Sequence, residues 1–210
     1  MVQSAGTAQS VEMRWRTTSV VVALLVATKA AQFHVWPDPG GTRMWPGLVR
    51  QSFLIGALLL LLVRRHGLRR AASKAGLAID RRGAAALGVL GGSATMFAIV
   101  GAPPTLSLMN LVVVTALGEE ILFRGLLPPL LSDRDTTAGA DWTCSIAFGL
   151  WHLPDVRMAR PLEAIAILAF TTGAAHFILS PLRRRTGSVY APAAIHALAN
   201  GVALLLFTGW

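Results

Sequence analysis

Two adjacent acidic residues lie inside an apolar stretch of this sequence. Glu119 and Glu120 follow a mostly apolar run and precede another. An ionisable side chain in such a surrounding is costly, so its presence indicates a functional role. Arg124 lies four positions after Glu120, which puts both side chains on one helical face where they can form an ion pair. Glu119 is rotated by about 100° from Glu120 and needs another partner, which makes it the candidate general base.

Histidines in two later apolar segments are the candidate partners of Glu119. His152 ends the sequence Phe148-Gly-Leu-Trp-His152, and His196 begins the sequence His196-Ala-Leu-Ala-Asn200. The four-residue spacing of His196 and Asn200 places them on one face of a helix. Two donors directed at one point are what an oxyanion hole requires.

The composition indicates a membrane protein rather than a soluble domain. The chain of 210 residues is 54% hydrophobic and 14% charged, whereas soluble domains carry about 25% charged residues. The apolar excess also excludes intrinsic disorder. The single cysteine, Cys144, excludes an internal disulfide framework and is expected to pack as a small apolar residue. The net charge of +9 comes from basic clusters between apolar runs, so we expect no nucleic-acid partner.

About seven apolar stretches approach or reach the roughly 20 residues that a helix needs to cross a bilayer. They predict an all-α, polytopic membrane protein with about seven transmembrane helices. We divide it into N-terminal helices with a basic loop (1–104) and a catalytic helical core (105–210). Pro154 is expected to end or kink the fifth span, which is the weakest. The predicted spans are Thr18–Trp36, Leu48–Val63, Gly83–Ala102, Thr105–Leu127, Thr137–Leu153, Leu162–Leu182 and Val189–Trp210.

The distribution of Lys and Arg predicts the orientation in the membrane. With a cytoplasmic N-terminus, the inner segments include the basic stretch Arg64–Arg82 and the run Arg183–Arg185, whereas the outer loops hold Arg43, Arg157 and Arg160. The positive-inside rule therefore predicts a multi-pass protein of the cell membrane with its N-terminus in the cytoplasm. Tryptophans near span ends are interpreted as interfacial anchors: Trp36, Trp45, Trp151 and Trp210.

With this orientation, the candidate residues lie in the same half of the bilayer. At 1.5 Å per residue, Glu119 lies about 12 Å from the inner end of its span, His196 about 8 to 12 Å and His152 roughly 16 to 24 Å. We therefore expect these three side chains to meet in one cavity.

Three motifs in a fixed order resemble the CPBP family. They are Glu-Glu-Ile-Leu-Phe-Arg at 119–124, Phe-x-x-x-His at 148–152 and His-x-x-x-Asn at 196–200. This family comprises the type II CAAX prenyl endopeptidases and the Abi-like, bacteriocin-processing intramembrane proteases. The resemblance covers about Thr105 to Ala203. It implies an all-helical membrane protein that cleaves a membrane-associated peptide or protein within or beside the bilayer.

The resemblance also implies a role for each motif residue. Glu119 would activate a water molecule with the help of His152, and His196 with Asn200 would stabilise the oxyanion. The remaining motif residues, Glu120, Arg124 and Phe148, would support the site. The implied reaction is hydrolysis without a covalent intermediate.

The residues are compatible with two forms of this hydrolysis, one without a metal ion and one with zinc. The sequence lacks HExxH, the motif of many zinc proteases, which favours a reaction that needs no cofactor. In the alternative, Glu119, His152 and His196 hold a zinc ion and leave one position open for water. The resemblance covers several substrate classes, so prenylated CAAX peptides are one expectation among them.

Other functional classes fit part of the pattern. Glu119, His152 and His196 could form the relay of a proton-coupled transporter. Such transporters contain inverted repeats, but the first three predicted spans hold no counterpart of these motifs. A catalytically inactive membrane scaffold is the third alternative. Such a protein usually lacks a motif residue, whereas all of them are present here.

Overall fold

The computed structural model describes residues 44–81, 83–89, 91, 115–131, 138–154 and 160–207, together with 23, 25, 27 and 29. The regular structure in these ranges is helical throughout, which confirms the all-α class. The predicted span Thr18–Trp36 lies mostly outside the described residues. So do residues 92–102, residues 105–114, the loops around Arg134 and Arg157, and Trp210.

Most of the described residues belong to helices. The π-helical stretches Ile121–Leu126 and Ala175–Leu179 join α3 to α4 and α6 to α7. Residues 83–89 and 91 are also helical. The helices with both ends described are α1 (Met44–His66), α2 (Leu68–Lys74), α3 (Gly118–Glu120), α4 (Leu127–Leu131), α5 (Ala138–Trp151), α6 (Pro161–Ala174), α7 (Ser180–Thr186) and α8 (Tyr190–Phe207).

Helix ends coincide with residues that favour them. Gly67, between α1 and α2, has a φ of 76°, and Gly187, after α7, has a φ of 68°, a backbone region where glycine carries no steric penalty. Pro161 begins α6, where its missing N–H costs nothing. As predicted, α5 ends shortly before Pro154.

The helical segment 115–131 lies at the centre of the described fold. It contacts α1, α5 and α8, so it is covered on several sides. Phe123 and Leu126 from this segment are fully buried with Leu62 of α1 and Trp151 of α5. The two glutamates are part of this segment, which is why they are held inside the protein.

One helix in the described part of the chain is long and apolar enough to cross a membrane. It runs from Pro161 to Thr186, with 26 residues and a mean hydropathy of 1.7. Val49–His66 and Leu68–Lys74 pass the same test together but are bent by 119°. The number of seven spans, and the side on which the N-terminus lies, therefore stay predictions.

Candidate active site

The acid pair is buried where two helices approach closely. Glu119 is 4% exposed and Glu120 is fully buried. A Cβ atom at Gly118 would lie 2.9 Å from Oε1 of the buried Gln51, so the glycine lets α1 approach the backbone next to the acids. The π-helical stretch begins directly after Glu120, and such stretches occur frequently at functional sites.

Glu120 is the centre of a buried ionic cluster. Its Oε1 lies 3.0 Å from Nη1 of Arg124 and 3.0 Å from Nδ1 of His196. The predicted ion pair of Glu120 and Arg124 is therefore confirmed. Because a carboxylate oxygen only accepts, Nδ1 of His196 carries the hydrogen in this bond. Nε2 is then the nitrogen of His196 that is left for a ligand.

Glu119 faces a different set of partners, contributed by the end of α5. The indole Nε1–H of Trp151 donates a hydrogen bond of 2.7 Å to Oε1 of Glu119. Oε2 of the same carboxylate is buried and has no hydrogen-bond partner among the described residues. It lies 3.9 Å from Nε2 of His152. The structure thus brings Glu119 and His152 together, as the sequence predicted.

The orientation of the His152 ring is set by its own helix. Nδ1 lies 2.8 Å from the carbonyl oxygen of Phe148, and because a carbonyl only accepts, Nδ1 is the donor. In the neutral ring, Nε2 then presents a lone pair toward Glu119. Two polar atoms 3.9 Å apart are too far for a direct hydrogen bond and close enough to share one water molecule.

Phe148 packs between the two histidines. Its ring centre lies 4.8 Å from that of His152 and 5.6 Å from that of His196, both edge to face. The guanidinium carbon of Arg124 lies 4.2 Å from the centre of the same ring, a cation–π distance. Phe148 therefore contacts both histidines and the arginine of the ionic cluster.

Asn200 is less closely tied to the cluster than His196. It is half-buried one turn further along α8, and its amide takes no part in the hydrogen bonds that link the described residues of the site. The shared helical face of His196 and Asn200 is present, whereas the convergence of their donors stays a prediction.

Trp151 is a site residue that the sequence analysis misinterpreted. The prediction of an interfacial anchor is wrong for it, because its side chain is fully buried and donates to Glu119. Nζ of Lys29 and the guanidinium carbon of Arg50 lie 4.9 Å and 4.6 Å from its ring centre. Lys29, a charged residue inside an apolar predicted span, was the sequence feature that could have indicated a buried site contact. The position of Trp151 next to His152 was not informative by itself.

The zinc alternative does not fit the described side chains. Among them, no group of three or more His, Cys, Asp and Glu residues is arranged to hold a metal ion. His196 contacts Glu120, while His152 faces Glu119. The three residues of the alternative are therefore divided between two carboxylates instead of converging on one point.

The second half of the chain matches a protein-family model. The family model described as "Type II CAAX prenyl endopeptidase Rce1-like" matches residues 101–202. All three motifs lie within this range, and the match confirms the resemblance that they carry. Neither the curated proteins nor the solved structures gave a match to the chain.

Proposed function

We propose that this chain is an intramembrane endopeptidase, because residues 101–202 match the family model of Rce1-like type II CAAX prenyl endopeptidases. Its substrates would be membrane-associated peptides or proteins that end in a CAAX sequence, a cysteine followed by three residues. The observation that carries the proposal is the 3.9 Å separation of Oε2 of Glu119 and Nε2 of His152. Glu119 lies in α3 and His152 directly after the end of α5, and the two side chains face each other across a distance that suits one water molecule.

The first step of the proposed reaction is the activation of that water. Oε1 of Glu119 is held by Trp151, so Oε2 is the oxygen that takes the proton. Nε2 of His152 accepts the other hydrogen of the water and orients its lone pair toward the substrate. Glu119 thus acts as the general base through Oε2, and His152 orients the water through Nε2.

The second step is attack on the peptide bond. The water oxygen bonds to the scissile carbonyl carbon as Glu119 takes its proton, which gives a tetrahedral intermediate with a negative oxygen. Asn200 and Nε2 of His196 stabilise this oxygen by donating hydrogen bonds. Because Nδ1 of His196 already donates to Glu120, the ring must carry a hydrogen on both nitrogens to make this second donation.

The third step is release of the products. The C–N bond breaks as Glu119 returns its proton to the leaving nitrogen, which leaves as an amine, and the former water oxygen stays in the new carboxyl group. The proton and oxygen transfers all use water and side chains of this chain. No enzyme–substrate covalent bond is formed.

A membrane setting is supported by the surface of the Pro161–Thr186 helix. Leu162, Ile165, Phe170 and Phe177 are exposed by 78%, 63%, 76% and 69%. Several large apolar side chains exposed along one helix indicate contact with lipid or with another protein. Lipid contact agrees with the hydropathy of the helix.

Replacement of Glu119 by glutamine tests the proposal. The amide is nearly isosteric and cannot take a proton, so cleavage of a farnesylated CAAX peptide should fall at least about 100-fold, the usual contribution of a general base. Glu163→Gln is the matched control, because Glu163 lies at the exposed start of α6. Full activity of the Glu119→Gln protein would reject Glu119 as the base.

A further inference from the structure

A buried glutamine of α1 lies next to the acid pair and takes no part in the steps described above. Gln51 is 3% exposed, and its amide packs against Gly118, the residue directly before Glu119. A Cβ atom at Gly118 would lie 2.9 Å from Oε1 and 3.3 Å from Nε2 of Gln51. Position 51 lies outside the residues 101–202 that match the family model, so the match assigns no role to it.

The amide oxygen of Gln51 is an acceptor that the described structure does not use. Oε1 is buried and has no hydrogen-bond partner among the described residues. Leaving a buried acceptor without a hydrogen bond is costly, so such an atom in a folded protein needs an explanation, such as a binding role. Oε2 of Glu119, the proposed base, is a second buried acceptor in the same condition. Because Gln51 contacts the residue bonded to Glu119, both acceptors belong to the same part of the site.

The acid pair is surrounded by three helices. Along the chain, three successive residues face them in turn: Gly118 faces α1, Glu119 faces the end of α5 and Glu120 faces α8. Successive residues of a helix are rotated by about 100°, so α1 and α8 lie on opposite sides of Glu119. Gln51 of α1 is therefore on the side of the proposed base that is opposite to His196 of α8.

The residue next to Gln51 ties α1 to the partner of the base. The guanidinium carbon of Arg50 lies 4.6 Å from the ring centre of Trp151, whose indole N–H donates to Glu119. Helix α1 thus contacts the end of α5 as well as Gly118. This double contact holds Gln51 beside the catalytic pair.

We propose that Gln51 binds the peptide backbone of the substrate beside the cleaved bond. A side-chain amide carries an acceptor and a donor, the same two kinds of group that a peptide unit presents. Oε1 of Gln51 accepts the N–H of a substrate peptide unit on one side of Glu119, and His196 holds the oxyanion on the other. The two contacts together fix the scissile carbonyl over the water between Glu119 and His152. The inference rests on the proposed function, since it requires a peptide substrate.

Peptides with one ester in place of an amide test the contact, because an ester has no N–H. The cleaved bond stays an amide, and the ester replaces the next peptide bond on one side or the other in two farnesylated CAAX peptides. For the wild-type protein, we expect one of these esters to lower kcat/KM about 3- to 10-fold, the value of one hydrogen bond, mainly through KM. Gln51→Met should show no such preference, since methionine has a similar length and no amide.

Two further variants check the interpretation. Gly118→Ala should lower the preference for the amide peptide as well, because its methyl group would displace the flexible end of Gln51, and it provides the test if Gln51→Met does not fold. Ser52→Ala is the matched control, since Ser52 is exposed on the same helix and should keep the wild-type preference. Each preference compares two substrates on one protein, so a lower yield of folded protein does not change it.

Two results would overturn the inference. One is equal kcat/KM of the wild-type protein for the amide peptide and both ester peptides. The other is a Gln51→Met protein that loses activity and keeps the wild-type preference, since Gln51 would then serve only to pack α1 against Gly118.

A binding measurement separates this inference from the proposed function. In the Glu119→Gln protein, the amide peptide should bind more tightly than the ester peptide, and addition of Gln51→Met should abolish the difference. If the wild-type protein cleaves none of these peptides, the proposed function fails, and the binding difference still decides the role of Gln51. Equal binding of the amide peptide and both ester peptides would overturn that role.

Discussion

Glu119 and Glu120 are adjacent and chemically identical, yet their neighbours differ. Oε1 of Glu120 accepts hydrogen bonds from Arg124 and His196. The guanidinium of Arg124 therefore balances the charge of this carboxylate. Oε1 of Glu119 accepts a hydrogen bond from the neutral indole N–H of Trp151, and Oε2 of Glu119 faces His152. The first arrangement suits a structural anion and the second suits a base that must exchange a proton.

Trp151 is a positioning residue in this account, and Trp151→Phe tests it. Phenylalanine retains much of the packing against Phe123, whose ring centre lies 5.6 Å away, but removes the donor to Glu119. We expect kcat to fall about 10- to 100-fold, the value of a hydrogen bond to a charged group, with KM little changed. Steady-state kinetics on the farnesylated peptide measures both.

The matched control for this variant is Trp142→Phe. Trp142 is 44% exposed and stacks on His176, away from the acid pair, so kcat should stay at the wild-type value. An equal loss in both variants, or a loss confined to KM in Trp151→Phe, would contradict a role of Trp151 in holding Glu119.

Spacing in the sequence was sufficient to predict contacts within one helix and insufficient for contacts between helices. The pairing of Glu120 with Arg124 follows from four-residue spacing and was correctly predicted. The bond between Trp151 and Glu119 joins two helices, and its geometry depends on how α5 packs against segment 115–131. The same holds for the division of the two histidines between the two carboxylates.

At the scale of helices, α5 is fixed against α6 by a close approach at Gly149. A Cβ atom there would collide with Oγ1 of Thr172 and lie 3.2 Å from the carbonyl oxygen of Leu168. Glycine therefore lets the two backbones come together. Since Trp151 and His152 follow directly, this contact positions the residues that face Glu119.

We expect Gly149→Ala to destabilise the protein by about 1–3 kcal/mol, the usual cost of overpacking. Thermal unfolding in detergent measures the change, and Thr172→Ala should restore part of the loss by removing the nearest atom. Gly139→Ala in the same helix is the control, because nothing lies within 4 Å of its added Cβ. Unchanged stability of Gly149→Ala would show that the helices are not closely packed there.

Helix positions were predictable from the length of the apolar stretches, and helix interiors were not. The predicted Leu162–Leu182 lies within the Pro161–Thr186 helix, and Val189–Trp210 overlaps α8. The π-helical stretch Ile121–Leu126 was not predicted, because it depends on packing against neighbouring helices and not on composition. It contains Arg124, so a local irregularity contributes to the geometry of the site.

For the whole molecule, the basic residues have a second role besides the orientation that we predict from them. The run Arg183–Arg185 was interpreted as a determinant of topology. In the structure, Arg183 donates to the end of α2 and Arg184 pairs with Asp141 near the start of α5. These contacts link three helices at one end of the described fold, the end that the charge distribution assigns to the cytoplasm.

Cysteine labelling tests the orientation. The only native thiol, Cys144, is 2% exposed, so the wild-type protein should react little with a membrane-impermeant maleimide. Arg160 and Arg185 lie at opposite ends of the helix from Pro161 to Thr186, whose 26 residues extend about 39 Å. Arg160→Cys should be labelled from outside intact cells, and Arg185→Cys only after permeabilisation. The reverse pattern, or labelling of both from one side, would contradict the predicted topology.

The central claim is that Glu119 and His152 act on one water molecule as a unit, and a double-mutant cycle on kcat/KM measures it most directly. Residues that act together have non-additive effects. We predict that the protein with both Glu119→Gln and His152→Gln cleaves the farnesylated peptide about as slowly as the slower of the two single variants. If the two losses multiply in the double variant, the residues contribute independently and the shared-water account is wrong.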